Sequence, residues 1–558
     1  MEAAVASHFA KPVERPFTRA ERDTTTILFG GLTWKHERLV QGALEGLGYH
    51  CAPVPTADVR AFQTGKEYGN NGQCNPTYFT VGNLVQFLQG LEAKGMTRQE
   101  IIDKYVFFTA GACGPCRFGM YEAEYRLALR NSGFDGFRVL LFQQGGGLNQ
   151  ADVDAGLEMD LDFFLGILNA LNMGDVINEV VYQIRPYEVN KGETNRVLEE
   201  CMEYMRGVIR RHRPFDLREK SRTLSRLFGN GGQVGKFLNQ LTTDEYTAAL
   251  RHVRDRLNAI PVDRTRTKPI VKITGEFWAQ TTEGDGNFNM FAFLEREGAE
   301  VLVEPIGTWI MYMIHQFKQK IADRAGVEEG QTPPPSWRLD QRAKIALALR
   351  KRLARMTVAE KIFEREYNRI REALGGTAHG LVNQYELQRL GHPYYNSRSG
   401  GGEGHLEVAK NIYYHNKDLA HMVLSLKPFG CMPSTQSDGA QSAVISHFKD
   451  MIYLPIETSG EGEINAHSRV QMALGEAKSK AKGEFQTAVE STGYDLDQIR
   501  TYVKEHAELQ RPILHLPHYR GVIGTAARFV KHAGELMRKE GVPATRSVQI
   551  QTPLMAAH

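Results

Sequence analysis

Short apolar runs that end in glycine turns alternate with helical segments along this chain, and this alternation constrains the fold most. Residues Thr25 to Gly31 (TTILFGG) form a β-rich run, residues 35–47 have helical periodicity, and residues 49–54 form a second β-rich run. Two further runs follow at residues 105–109 (YVFFT) and 137–142 (FRVLLF), with a helix between them. We therefore expect a parallel sheet that is covered by helices on both faces.

The same pattern restarts near Lys268, after a mainly helical stretch, with a strand at residues 270–275, a helix near 287–297 and a strand at 300–304. The predicted fold class is α/β, with tandem Rossmann-like parallel-sheet domains and substantial helical insertions. The predicted divisions are an N-terminal α/β domain (1–150), a helical region (151–265), a second α/β domain (266–492) with a helical insertion at about 331–398, and a C-terminal helix with an extended tail (493–558).

Length and charge narrow the class of protein. A chain of 558 residues exceeds what one hydrophobic core usually supports, so two or three packed units are expected. The formal net charge of +3 gives no global attraction to nucleic acid or to an anionic membrane. Neither a secretory signal nor an apolar stretch long enough to span a bilayer is apparent, which predicts a cytoplasmic protein without a membrane or nucleic-acid partner.

The six cysteines are too few for a disulfide scaffold, so their positions carry the information. Four of them are predicted to lie in loops just before helices, where unpaired amides and the helix dipole stabilise thiolate; they are Cys74, Cys113, Cys116 and Cys431. We take the loops to be strand-to-helix connections at the edge of a parallel sheet where ligands gather. Cys51, on a predicted strand, and Cys201, inside a predicted helix, are expected to be structural.

Several thiolates on rigid loops suit a soft metal or an iron-sulfur cluster. Zinc also takes four thiolates, but structural zinc sites usually pair two close cysteine knuckles, and only Cys113 and Cys116 form one here. A thioredoxin-like disulfide is a third interpretation of the tetrapeptide CGPC, although its flanks lack the pattern of a thioredoxin-sized domain. An iron-sulfur cluster between the two α/β domains is the preferred prediction.

Three stretches carry a family resemblance, and they are GACGPCRFGMYEAEYRLALRNSGF, KPFGCMPS and PIETSGEGEINAHSRVQMAL. They resemble the activase-related iron-sulfur proteins of the 2-hydroxyacyl-CoA dehydratase and benzoyl-CoA reductase activator superfamily, in a stand-alone form without the ATPase module. The resemblance covers about residues 25 to 482. It implies tandem Rossmann-like domains with an oxygen-sensitive cluster at their junction, most simply a 4Fe-4S cluster held by the four cysteines.

The resemblance also implies a partner and a class of activity. The partner would be an ATP-dependent activase of the acetate kinase and actin type on a separate chain, and the activity would be low-potential electron transfer. A cluster-containing reductase or dehydratase that acts on its own substrate is an alternative, and a zinc-stapled, non-catalytic scaffold is another. A homodimer of this chain is a further expectation.

Several other polar residues and glycines are candidates for the predicted site. Arg117 and Gly430 adjoin cysteines and are candidate cofactor-binding residues. Glu276, at a strand end, is a candidate acid, base or ligand, with helix capping as the alternative. The candidates for lining the same cavity are Asn70, Asn71, Glu461 and Glu463. The glycine turn at residues 399–410 is a candidate for holding phosphate or the sulfides of a cluster. His405, His415 and His421 are expected to be incidental.

Overall fold

Two parallel sheets of four strands each organise the protein in this computed structural model. The structure describes residues 14–111, 116–143, 155–212, 236, 239–240, 242–324 and 337–545. Both sheets have their strands in the same spatial order, with the second strand outermost, followed by the first, third and fourth. The predicted α/β fold with two parallel-sheet domains is therefore confirmed.

The first sheet has the order β2-β1-β3-β4. Its strands are β1 (Thr26–Phe29), β2 (His50–Pro53), β3 (Tyr105–Gly111) and β4 (Arg138–Gln143). Its helices are α1 (Trp34–Gly46), α2 (Val59–Tyr68), α3 (Asn75–Ala93), α4 (Arg98–Lys104) and α5 (Tyr121–Asn131). Leu28 is fully buried in a cluster of apolar side chains with Phe107 and Val139. Burial of a parallel sheet on both faces explains the continuous apolar runs in the sequence.

A helical layer follows the first sheet. It contains α6 (Leu161–Ile184), α7 (Glu193–Arg211) and α8 (Glu245–Leu257). Helix α6 is buried along most of its length and contacts elements of both domains. Cys201 lies in α7 and Cys51 in β2, and both belong to one apolar core, in agreement with the structural role expected of them.

The second sheet has the order β6-β5-β7-β8. Its strands are β5 (Ile270–Gly275), β6 (Glu300–Leu302), β7 (Met422–Pro428) and β8 (Tyr453–Thr458). The helices of this region are α9 (Phe277–Thr281), α10 (Met290–Arg296), α11 (Ile306–Asp323), α12 (Leu339–Ala373), α13 (Gln384–Gly391), α14 (Gly404–Asn416), α15 (Met432–His447) and α16 (Glu463–Thr492). The predicted helical insertion corresponds to α12 and α13, and the proline-rich segment before Trp337 lies outside the described residues.

The C-terminal region differs from the prediction of a single helix. Two helices are present, α17 (Leu496–Glu505) and α18 (Thr525–Lys539), and they pack against the end of α16. Helix α17 begins with a capping box, in which Asp495 accepts from the amide of Gln498 and Gln498 accepts from the amide of Asp495. The predicted extended tail falls partly on residues 546–558, which lie outside the described residues.

A buried carboxylate ties the two domains together through the helical layer. Asp175 of α6 lies 3.0 Å from the Nε2 atom of His36 in α1. Its two oxygens also accept the amides of Ile306, at 2.7 Å, and Gly307, at 2.8 Å, in the first turn of α11. Through Asp175, these contacts connect helix α1 of the first domain to helix α11 of the second domain. In the described part of the chain, no helix is long and apolar enough to cross a membrane.

Candidate functional site at the domain junction

The loop that carries Cys74 contacts the loop that carries Cys431 across the junction of the two domains. The amide of Asn75 donates a hydrogen bond to the carbonyl oxygen of Phe429, at 3.0 Å. Gly430 has a φ of 75°, and a Cβ atom there would lie 3.1 Å from the carbonyl oxygen of Gln73 and 3.3 Å from the Cα atom of Cys74. Only glycine meets both conditions without strain, which accounts for glycine at position 430, whereas its cofactor-binding role stays a prediction.

Each described cysteine of the predicted site occupies the residue before a helix. Cys74 precedes α3, Cys431 precedes α15, and Cys116 precedes a short 3₁₀ turn at residues 117–120. Cys116 and Cys431 follow the third strands of their sheets, as predicted. Cys74 differs from the prediction, because its loop joins α2 to α3 and does not follow a strand. The helical hairpin inserted between β2 and β3 brings Cys74 to the sheet edge.

Cys116 approaches the glycine-rich turn of the second domain. Gly402 has a φ of 86°, and a Cβ atom there would lie 2.3 Å from Pro433 and 3.7 Å from the Cβ atom of Cys116. The turn therefore fits between Cys116 and the helix that follows Cys431. Cys113, the fourth predicted ligand, lies outside the described residues.

Burial and nearby carboxyl groups oppose ionisation of the three thiols. Burial raises the pKa of Cys116 to about 12, with Glu403 and Glu276 adding to the effect. Burial and Glu276 also raise the pKa of Cys431, with a further contribution from Glu403. Burial raises the pKa of Cys74, although hydrogen bonds from Thr77 and Tyr121 oppose the shift. These raised pKa values keep the thiols neutral in the folded chain alone, so thiolates at this place require a compensating cation.

Two carboxyl groups share the site with the thiols. Burial raises the pKa of Glu276 to about 7. Burial, together with the charge of Glu276, raises the pKa of Glu403 to about 8. Glu276 also caps α9 by accepting the amide of Ala279 at 2.9 Å, so its predicted alternative role as a helix cap is present as well. Glu403 was not singled out from the sequence, where its only signal was its place in the glycine turn before a helix.

Several buried polar atoms beside the cysteines lack partners. Within the described ranges, one oxygen of Glu403, the side-chain oxygen of Gln73 and both polar atoms of the Asn75 side chain make no hydrogen bond. Buried polar groups are normally paired, so unpaired ones require an explanation. Together with the raised pKa values of the thiols, they are consistent with a bound group that the folded chain alone does not supply.

The described side chains do not by themselves form a metal site. Among the described residues, no group of three or more histidine, cysteine, aspartate or glutamate side chains has a geometry that could hold a metal ion. Cys74 and Cys116 are near enough to influence each other's ionisation, but the set lacks Cys113. The observed arrangement is a convergence of three cysteine loops and two carboxyl groups.

The other polar residues singled out from the sequence have varied surroundings in the structure. Arg117 donates to the carbonyl oxygen of Gly72 and so fastens the Cys74 loop. Asn70 donates to Glu124, whereas Asn71 and Glu461 are exposed, as is Glu463. His405 is buried, with a pKa lowered to about 4 by burial. His421 accepts the amide of Ile270, and His415 lies 3.5 Å from Asp450.

Exposed apolar side chains surround the cysteine loops. Phe429 and Met432 flank Cys431, and their exposed fractions are 60% and 42%. Met120, four residues after Cys116, is 44% exposed. Apolar groups on a surface near a buried site are typical of a place where another molecule docks.

A scan of the sequence against protein-family models finds no matching family, and a search of curated proteins finds no significant relative. The case for a function therefore depends on the residues of the site.

Proposed function

We propose that this chain holds an iron-sulfur cluster of the 4Fe-4S type at the junction of its two domains and transfers electrons at low potential. The proposed ligands are Cys74, Cys113, Cys116 and Cys431. An ATP-dependent activase on a separate chain would supply the electrons, as the resemblance to activase-related iron-sulfur proteins implies. A reducing, cytoplasmic location is part of the proposal, because free thiols of this kind persist there.

One observation supports the proposal most strongly. Loops from both domains bring Cys74, Cys116 and Cys431 to one buried place, where burial and the nearby carboxyl groups of Glu276 and Glu403 oppose ionisation of the thiols. Thiolates could not persist there without a compensating positive centre. Ferric and ferrous ions in a cluster would supply that charge, and thiolates are the usual ligands of such clusters.

The chain supports the cluster in ways that do not depend on its ligands. Helices α3 and α15 begin directly after Cys74 and Cys431, and the amides of Thr77 and Ser434 in their first turns stabilise negative charge on the two sulfur atoms. Asn75, with both side-chain polar atoms unpaired among the described residues, is a candidate for a hydrogen bond to a sulfide. Donors of this kind raise the reduction potential of a cluster.

The exposed apolar side chains of Met120, Phe429 and Met432 support docking of an electron donor close to the cysteine loops. Transient redox complexes have small interfaces, so a few apolar contacts of this size are sufficient. The proposal therefore assigns electron entry to this face.

A reductase or dehydratase that acts on its own substrate is the second candidate. The observation that favours it is the pair of carboxyl groups of Glu276 and Glu403, since acids with raised pKa values beside a redox group can supply protons. A zinc-stapled scaffold is the third candidate, because zinc would satisfy the same thiolates.

Metal analysis of the full chain after anaerobic purification separates these candidates. The proposal predicts a brown protein with about four iron atoms and four acid-labile sulfides per chain. A colourless protein with one zinc and no sulfide would contradict it and support the scaffold. Cyanide is the probe for the second candidate: an altered EPR spectrum of the reduced cluster would indicate an open iron site, whereas an unchanged spectrum supports a fully ligated electron carrier.

A further inference from the structure

The N-terminal part of helix α12 is an exposed, strongly basic segment. Residues 338–358, here called the arm, contain seven basic residues and one acidic residue, for a net charge of +6. Because the whole chain carries +3, the remainder carries −3. The small net charge of the whole chain therefore conceals a concentration of positive charge in the arm.

The basic side chains of the arm are largely unpaired. Arg342, Lys344, Arg350, Lys351 and Arg355 make no ion pair or side-chain hydrogen bond with any residue that the structure describes. Arg338 pairs with Asp340, and the guanidinium of Arg352 lies 5.5 Å from the ring centroid of Phe317. Like charges gathered in one turn after another destabilise a helix, so anionic groups from outside the chain would stabilise the arm.

The arm also exposes an apolar stripe. Leu339, Leu347 and Val358 are 72%, 54% and 55% exposed. With Ala343 and Ala354 they recur at intervals of four or seven residues, which places all five on one side of the helix together with Arg350. Leu349 and Leu353, on an adjoining side, are partly buried on the protein. The exposed stripe therefore has no partner within the described part of the chain.

Helix α16 presents a complementary surface. Ile464 and Met472 are 85% and 76% exposed, and Ser468 and Gly475 lie on the same side of the helix. Exposed carboxylates lie close to its N-terminal end in the sequence, at Glu457, Glu461 and Glu463, whereas Glu476 pairs with Lys480 and the exposed Arg469 and Lys482 are basic. This surface, here called the α16 face, is apolar, and its N-terminal end is acidic where the arm is basic.

Among the large apolar side chains of the described residues, the four most exposed are Ile464, Met472, Trp337 and Leu339. Ile464 and Met472 belong to the α16 face, Leu339 begins the apolar stripe of the arm, and Trp337 directly precedes the arm. Such groups are rarely left in water when they cluster.

We propose that the arm of one copy of this chain docks on the α16 face of a second copy, and that the second arm docks reciprocally. A contact between two arms is disfavoured because each carries +6, whereas contact of an arm with the acidic end of the α16 face brings opposite charges together. Reciprocal exchange closes a twofold dimer, which is the commonest symmetry of soluble assemblies. The inference does not depend on the proposed cluster.

The test uses charge reversal on the full chain. One variant, Arg350→Glu with Lys351→Glu, reverses two charges of the arm and lowers its net charge from +6 to +2, and another, Glu461→Lys with Glu463→Lys, reverses two charges of the α16 face. Sedimentation equilibrium should show a wild-type dimer with a Kd in the micromolar range or tighter, weakened at least about 10-fold by each double reversal. All four positions are exposed, so both variants should fold, which circular dichroism checks.

An equimolar mixture of the two variants gives the most direct test of reciprocal docking. In a reciprocal dimer the reversed arm meets the reversed face, and the unaltered arm meets the unaltered face, so the mixture should regain wild-type affinity. A control variant, Lys94→Glu with Arg130→Glu, reverses two exposed charges of the first domain and should leave the dimer unchanged.

Three results would overturn the inference. These are a wild-type chain that stays monomeric at about 100 μM, well above a micromolar Kd, a dimer that neither reversal weakens, and a mixture that fails to reassociate. A monomer that binds vesicles of phosphatidylserine and phosphatidylcholine, and loses that binding on arm reversal, would assign the arm to an anionic lipid surface instead.

Discussion

The amide of Asn75, directly after Cys74, donates to the carbonyl oxygen of Phe429, two residues before Cys431, at 3.0 Å. This hydrogen bond joins two loops that are more than 350 residues apart in the sequence. It also brings together the residues that precede two helices, α3 and α15. The junction of the domains and the candidate site are therefore the same place.

Gly430 should be intolerant of a side chain, because its φ is positive and its Cα faces the Cys74 loop. We predict that Gly430→Ala lowers the free energy of unfolding by about 1–2 kcal/mol, the usual cost of a strained backbone position. Chemical denaturation measures this change. The matched control is Gly439→Ala in α15, where a Cβ atom would meet nothing within 4 Å and where alanine should stabilise the helix by up to about 1 kcal/mol. Equal effects of the two substitutions would contradict the account of the loop.

The strands were predictable because burial on both faces of a sheet requires continuous apolar runs. Glycine turns then mark where several of these runs end. β5 coincides with the predicted run at residues 270–275, and β1 to β4 fall within or close to theirs. The position of Cys74 was harder to predict, since the α2–α3 hairpin that carries it interrupts the alternation of strand and helix. Glu403 could not be identified from the sequence, because its position near Cys116 and Glu276 depends on contacts between residues that are far apart in the chain.

Glu37 should make stability fall with rising pH. Burial raises its pKa to about 8, although the amides of Leu32 and Gly31 partly offset the effect. A carboxyl with a raised pKa favours the folded state below its ordinary value of 4.5, and this contribution disappears as the pH rises through about 8.

Replacing Glu37 with glutamine keeps an acceptor for the two amides and removes the titration. Relative to the wild type, Glu37→Gln should gain about 1–4 kcal/mol of stability between pH 5 and pH 9, since one pKa unit corresponds to about 1.4 kcal/mol. Urea denaturation at several pH values measures the difference. The exposed Glu490→Gln is the control, and a gain of similar size there would argue against the assignment.

Glu304 lies between two buried ammonium groups. Its oxygens are 2.5 Å from the Nζ atom of Lys272 and 3.0 Å from that of Lys410, and all three side chains are less than 5% exposed. Although burial opposes ionisation, the two lysines lower the pKa of Glu304 to about 2.

Removing this carboxylate leaves two uncompensated charges in the core. We expect Glu304→Gln to cost about 3–5 kcal/mol, the typical effect of breaking a buried ion pair. Glu386→Gln, which breaks a partly exposed pair with Lys417, should cost less than about 1 kcal/mol. Thermal denaturation compares the two variants, and similar losses would contradict the importance of burial.

The central claim is that Cys431 and its three partners hold a cluster between the domains. Iron and sulfide content per folded chain, measured after anaerobic reconstitution, tests this claim most directly on Cys431→Ala and on the control Cys201→Ala. Cys201 is buried in α7 and belongs to the apolar core. The account predicts about four iron atoms per chain for the wild type and for Cys201→Ala, and a loss of most of the iron from Cys431→Ala. Undiminished iron and sulfide in a folded Cys431→Ala protein would contradict it.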